Sequence, residues 1–331
     1  MKAILMTQTG GANLLEAADI PEPAITEPNQ IKVQLKAAGV NPVDTKLRQR
    51  GVFYPNALPA VLGCDGAGVV VETGSAVSKF EVGDKVWYCH GGLGGDQGNY
   101  AEFNVLDGRW ATHMPKTLSF EQAAAGPLVL ITAWGALYDR ARLQQSDTVL
   151  IHAGAGGVGH VAIQLARLHG AKVIATVGTD NHVALARSWG ADEVINYTTQ
   201  NFVDAVNDLT GGKGAEVVLE SVGQGTFERS IHCTAHFGTI VTLLEIGNAD
   251  LKEARMRNLR IGFELMLTPQ LRQLAGGLDL QVDMLNQCGR WIDQGKLKIH
   301  VGEVLPLEQA AKAHEIIEGG HATGKVVLKI D

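Results

Sequence analysis

Cysteine is scarce and shows no pairing pattern: Cys64, Cys89, Cys233 and Cys288 are scattered and form no C-x-x-C pair. A disulfide framework is therefore not expected, and the spacing points to a reducing compartment, the cytoplasm. Positive charge is also short, with 28 Lys and Arg against 35 Asp and Glu and a net charge of -7. No excess of cations is available to neutralise phosphates, which argues against a strong nonspecific nucleic-acid binder or a binder of anionic membranes. Long apolar runs are missing as well. None could span a bilayer, and the opening "MKAILMTQTGGANLLEAADIPEPAI" turns polar too early for the apolar core of a signal peptide. The 40 glycines carry no G-X-Y period, and a hydrophobic fraction of 45% with 19% charged residues suits a globular chain rather than a disordered or collagenous one.

A chain of 331 residues exceeds what one hydrophobic core organises, so two domains are expected. The first third reads as short strands between Gly, Pro and Asn clusters: "KAILMTQ", "QIKVQLKAAGV", "GAGVVVETG" and "GDKVWYC". From about Thr117 the texture changes. A helix-like stretch "SFEQAAAGPLVLITAWGALYDRA" leads into apolar strands alternating with amphipathic helices, from "DTVLIHA" and "HVAIQLARLHG" through "KVIATV", "NHVALARSWG" and "EVINY" to "AEVVLES", "TFERSIHCTA" and "GTIVTLL". Such βαβ units predict an α/β fold with a doubly wound parallel sheet. "RIGFELML" is the last strand candidate of that sheet, two helical segments follow, and "GKVVLKI" closes the chain. An isolated terminal strand must pair, and the β-rich first third is the expected place. The parallel-sheet domain, residues 123–266, would then be inserted into a domain built from 1–122 and 267–331.

The stretch "LIHAGAGGVGHVAIQLARLHGA" places Gly154, Gly156 and Gly159 at G-x-G-x-x-G spacing, directly after a strand. Val158, Val161, Ala162, Leu165 and Leu168 then recur at helical spacing. In that setting glycines permit a tight turn and a close backbone approach to a pyrophosphate, which the helix N-terminus attracts. NAD-binding proteins place an acid at the end of the second strand, on the ribose hydroxyls. Here "KVIATV" runs into Gly178 and Thr179; Asp180 reads as a cap or first residue of the next helix, and His182 and Tyr197 follow. Polar and cationic groups without the acid predict a 2'-phosphate, hence NADPH over NADH.

Seven motifs in order, "AAGVNPVD", "LGCDGAGVVVETGSAVSKFEVGDKV", "GNYAEF", "LSFEQAA", "TAWGAL", "LIHAGAGGVGHVAIQLA" and "GADEVINY", resemble the quinone oxidoreductase (ζ-crystallin-like) branch of the medium-chain dehydrogenase/reductase superfamily. The resemblance implies a Rossmann domain inserted into a GroES-like β-rich domain. It assigns Asn41 and Thr132 to the nicotinamide end of the cofactor, Gly156, Gly157 and Val158 to the pyrophosphate loop, and Thr179, His182 and Tyr197 to the adenosine phosphate side. His182 stands where many NADPH-using relatives have Lys. Val222, Gly223 and Leu243 would lie in loops at the carboxyl edge of the sheet, and Lys325 near the cofactor. Tyr54 stands where relatives place an aromatic beside the substrate, in a loop one residue longer, while a second family tyrosine is Lys46 here.

Zinc alcohol dehydrogenases of the same superfamily need about three Cys, His or carboxylate ligands at a catalytic zinc. At the corresponding positions this chain has Asn41 and Cys64-Asp65, and the four-cysteine lobe of the structural zinc is missing. No zinc is expected. His90 beside Cys89 is read as a loop residue, and Cys64 as a small buried hydrophobe. Without a Lewis acid the implied reaction is hydride transfer from NADPH to a quinone or an α,β-unsaturated carbonyl, with Asn41 and Tyr54 as catalytic candidates and water as an alternative proton source. Enoyl-thioester reduction, a zinc-type alcohol dehydrogenase relative and an NADPH-binding protein with little turnover are the other readings. Relatives often pair the last Rossmann strand across a two-fold axis, so a homodimer through "RIGFELML" is expected.

Overall fold

The computed structural model describes residues 1–320 and 322–331. Two compact units emerge: Val129–Met266, and Met1–Leu128 joined with Leu267–Asp331.

The middle unit is built on a six-stranded parallel sheet. From one edge to the other its strands are Glu193–Asn196, Lys172–Val177, Thr148–Ile151, Ala215–Glu220, Thr234–Thr242 and Arg260–Phe263. Val, Ile and Ala fill the central strands because both faces are covered, and a pleat buried on both sides selects β-branched side chains throughout. Helices Gly157–His169, Asp180–Ser188, Phe202–Leu209 and Gln224–Ile231 make the connections. Leu150, Ile174, Val218 and Ile240 from the strands meet Phe202, Val206, Phe227 and Ile231 from the helices in one core cluster. The first strand in sequence lies inside the sheet with the second on one side and the fourth on the other. That reversal of order is the switch point where open α/β sheets bind ligands beyond their carboxyl ends.

One segment departs from the sequence reading. "SFEQAAAGPLVLITAWGALYDRA" is not one helix but three pieces: Phe120–Ala124, Pro127–Trp134 and a turn of wider radius over Gly135–Arg140, where the Ala141 N–H reaches back five residues to the Ala136 carbonyl. Pro127 has no N–H to continue a helix and is accommodated only at the start of the next one.

The other unit carries a seven-stranded sheet in which Gln30–Val40 is the hub. This strand pairs with Asp65–Thr73, Phe103–Asp107 and the closing strand Lys325–Lys329, all antiparallel. Its side chains alternate over Ile31, Val33 and Leu35, which are fully buried, and then become buried on both faces from Ala37. The terminal strand therefore does find its partner in the first third of the chain, with Val326 opposite Val40. A strand that the sequence reading passed over, Val301–Pro306, lies parallel to it. Its Gly302, Glu303 and Pro306 hide the apolar alternation. Helices Ala275–Asp293 and Ala310–Glu318 complete this unit.

Candidate active site

In the parallel-sheet unit, nine of the residues singled out from sequence gather at the carboxyl ends of the strands. Gly156 is the N-cap of the first helix, and Gly157 and Val158 are its first residues. The glycine spacing has a direct steric cause at Gly159. A Cβ there would stand 2.1 Å from the Ala153 carbonyl oxygen and 2.8 Å from the Gly154 Cα, so helix and turn approach as closely as two backbones can. The first-turn N–H groups have no carbonyl one turn earlier to receive them, and the helix dipole adds a partial positive charge; together these suit an anion.

The end of the second strand is organised differently from an acid-ended NAD site. Thr179 caps the next helix, its hydroxyl accepting from the His182 N–H. Asp180, the nearest acid, accepts from the Asn196 amide at 2.8 Å and so belongs to the strand end rather than to open space. Tyr197 is 54% exposed, and its hydroxyl lies 2.6 Å from where a Cβ of Gly178 would be. Any side chain at Gly178 would displace it. Thr179, half-buried His182 and Tyr197 thus surround one strand end.

Val222 and Gly223 follow the fourth strand, and both of their N–H groups donate to Glu220 Oε1, at 2.6 and 2.7 Å. Glu220 is fully buried, accepts from Thr242 Oγ1 at 2.8 Å on its other oxygen, and receives the Leu243 N–H on its backbone carbonyl. Sequence reasoning missed this residue, although "ESVG" puts an acid where two loop amides must be held. Behind it, His152 bridges Thr176 and Ser230, and burial pushes its imidazole down to about 3, so it is neutral. Thr132 is buried on the helix Pro127–Trp134.

In the other unit, Asn41 and Lys325 come together. One step beyond the Val326–Val40 pair these two residues face each other, and Lys325 Nζ donates to Asn41 Oδ1 and to the Val40 carbonyl at 3.0 Å. Lys325 is 3% exposed, not a solvated lysine at a strand start. Asp65, paired in register with Gly39 and Cys89, stands 3.6 Å from the ammonium and accepts from Asn41 Nδ2 at 2.9 Å and from the Leu128 N–H at 2.8 Å. Burial raises the Asp65 carboxyl, and Lys325 opposes that rise. Asp44 receives the Asn41 N–H at 2.8 Å and the Tyr100 hydroxyl at 3.1 Å. Burial pushes this carboxyl up to about 7, against the Asn41 bond.

This donor set does not fit a metal ion. Burial drives the Cys64 thiol well above its ordinary range, and the Asp44 and Asp65 charges push the same way. The Asp65 carboxylate already has a cation in Lys325. Among the described residues no group of three or more His, Cys, Asp or Glu is arranged to hold a metal. The Tyr54 hydroxyl donates to the Gln270 carbonyl at 3.4 Å.

Two family models match the chain, the alcohol dehydrogenase GroES-like domain over residues 27–116 and the zinc-binding dehydrogenase over residues 189–328. A quinone oxidoreductase of Pseudomonas aeruginosa is 36% identical, covering 99% of both chains. A crystal structure described as an NAD-dependent alcohol dehydrogenase superposes with a TM-score of 0.91 at 36% identity, and Escherichia coli quinone oxidoreductase complexed with NADPH superposes with 0.88 at 32%, each covering 100% of both chains. The motifs, the GroES-like and Rossmann folds and this full-length similarity agree: the chain is an oxidoreductase of the quinone oxidoreductase family, within the medium-chain dehydrogenase/reductase superfamily.

Proposed function

We propose that the chain is a zinc-independent, NADPH-dependent reductase of quinones or α,β-unsaturated carbonyl compounds. The observation that carries this reading is the buried Asn41–Asp65–Lys325 cluster: Asn41 and Asp65, at positions where zinc-dependent relatives carry ligands, are bonded to each other and to an internal ammonium. NADPH fits the other unit. Gly156, Gly157 and Val158 would receive the pyrophosphate, Thr179, His182 and Tyr197 the 2'-phosphate side, and Val222, Gly223 and Leu243 the rim beyond the fourth and fifth strands. Asn41, Thr132 and Lys325 would serve the nicotinamide end. When bound, the dihydronicotinamide supplies a hydride.

The residues of the chain contribute orientation and electrostatics. Asn41 has both ends of its amide committed, its carbonyl to Lys325 and its NH2 to Asp65, so it is fixed before any ligand arrives. An acceptor activated by its own conjugation spreads the incoming charge and needs no Lewis acid.

Steady-state oxidation of NADPH with 1,2-naphthoquinone and a panel of enones tests the reading, with a strong zinc chelator leaving the rate unchanged. No turnover with any acceptor and either nicotinamide would overturn it. Preference for a long-chain enoyl thioester would redirect it to thioester reduction, and a chelator-sensitive alcohol oxidation to the zinc branch. His182→Ala should raise KM for NADPH more than for NADH; equal effects would remove His182 from phosphate recognition.

A further inference from the structure

The acid nearest the end of the strand Lys172–Val177 is Asp180, three residues on and exposed to solvent. It follows Gly159, the last glycine of the G-x-G-x-x-G turn, by 21 residues. Rossmann proteins place the acid that binds a ribose 2'-hydroxyl at roughly 20 residues. By that spacing alone Asp180 would serve a 2'-hydroxyl, and against a 2'-phosphate it would set like charge against like.

Its side chain has another partner. Asp180 Oδ1 accepts from Asn196 Nδ2 at 2.8 Å. Asn196 is 7% exposed and ends the neighbouring strand Glu193–Asn196, in register with Val177. Its amide is oriented from its carbonyl end: Oδ1 accepts from the Thr198 N–H at 3.1 Å and from the Thr198 hydroxyl at 2.7 Å, which leaves the NH2 to Asp180. The backbone around it is fixed as well. The Asn196 carbonyl receives the Thr199 and Gln200 N–H groups at 3.2 and 3.0 Å, and the Tyr197 N–H donates to the Val177 carbonyl at 3.0 Å. Asp180 itself opens the helix Asp180–Ser188, whose cap Thr179 accepts from the His182 N–H. The arginines of the flanking helices are engaged elsewhere, Arg167 with Asp192 at 3.1 Å and Arg187 with Glu193 at 3.9 Å. A neutral amide therefore tethers Asp180 without cancelling its charge, and what the amide decides is where that charge stands.

We propose that Asn196 is a specificity-determining residue: by holding Asp180 against the strand end, it keeps the carboxylate out of the space around Gly178, Thr179, His182 and Tyr197 and lets that space take a 2'-phosphate. Asn196 acts through Asp180 and is a positioning residue; its role rests on the NADPH reading above. Released from the amide, Asp180 turns toward the same space, where it repels a 2'-phosphate and bonds a 2'-hydroxyl. The chain thus carries an acid suited to NADH, and one buried amide turns it aside.

Dissociation constants for NADPH and NADH, read by nicotinamide fluorescence, test the proposal on the unaltered protein, Asn196→Ala, Asp180→Asn and the double variant. Asn196→Ala should move the ratio of the two affinities at least fivefold toward NADH. In the Asp180→Asn background the same substitution should change the ratio less than twofold. A smaller shift in Asn196→Ala overturns the proposal, including an equal loss of both affinities, which is what a merely structural role would give. A shift of twofold or more in the Asp180→Asn background also overturns it, because Asn196 would then act through Tyr197 or Thr198. If Asn196→Ala does not fold, Asn196→Ser takes its place with the same expected ratios, since its hydroxyl can close the turn onto Thr198 but is too short to reach Asp180. Should the unaltered protein bind NADH as tightly as NADPH, the NADPH reading falls, while the shifts in ratio still decide the role of Asn196. Binding of neither nicotinamide overturns both.

Discussion

Lys325 shows how one side chain can hold a site together. Its ammonium is shared by the Val40 carbonyl, the Asn41 amide and Asp65, all buried. Lys325→Met would leave Asp65 as an uncompensated buried charge, and removing one partner of such a pair costs about 3–5 kcal/mol. Urea unfolding should report a loss of that size, and recovery of most of it in Lys325→Met combined with Asp65→Asn would identify the stranded charge as the cause. Asp44 works in the opposite sense. Its carboxyl has a folded pKa of about 7 against 3.8 for the free group, so the folded state holds its proton more tightly than the unfolded chain. The stability it contributes is complete below pH 4 and is lost as the pH rises from about 4 to about 7, by on the order of 4 kcal/mol. Asp44→Asn keeps an acceptor for Asn41 and Tyr100 without the charge. Its melting temperature should match that of the unaltered protein near pH 4, pull ahead through pH 7, and hold a constant lead above; an equal lead at all pH values would show that the Asp44 charge is not the cause.

The turn and helix from Ala153 to His169 illustrate what a motif means in space. Gly159 faces the Ala153 carbonyl at a distance no Cβ tolerates, so Gly159→Ala must push the helix away from the turn that aims its N–H groups. An overpacked contact of this kind costs about 1–3 kcal/mol. NADPH affinity measured by nicotinamide fluorescence should fall at least tenfold, more than thermal stability alone would explain. Unaltered affinity would remove the helix start from cofactor binding. The βαβ alternation of this unit was legible because each strand and helix carries its own period, and the glycine spacing lies within one turn of chain. Val301–Pro306 and the break at Pro127 were harder to read, since a strand interrupted by Glu303 and Pro306 exists only because Lys325–Lys329 lies beside it. Glu220 was illegible for a related reason: "ESVG" shows an acid after a strand, but not that its oxygens receive the amides of Val222 and Gly223 and the hydroxyl of Thr242.

For the molecule as a whole, the open edge of the parallel sheet is the feature that association would use. Arg260–Phe263 pairs on one side only, and Phe263 and Leu265 beside it are more than half exposed. Apolar residues on an unpaired edge favour a second copy of the same strand. Sedimentation should therefore show a dimer, and Phe263→Asp with Leu265→Asp should convert it to monomer with the internal core intact. A monomeric unaltered protein would refute this.

The sequence by itself determined what depends on short stretches of chain: strand and helix periods, the glycine turn, the lack of an acid after the second strand, and the substitution of Asn41 and Cys64-Asp65 for zinc ligands. Only the tertiary structure decided what depends on residues hundreds of positions apart. It made Lys325 a buried counter-ion to Asp65 and Asn41, and made Glu220 the anchor of three loop amides. His90, read from sequence as a loop residue, became a buried side chain stacked on Trp110 and paired with Asp96. Local periodicity reports the backbone's own preferences, whereas the burial and pairing of a charge depend on which distant strand folds against it.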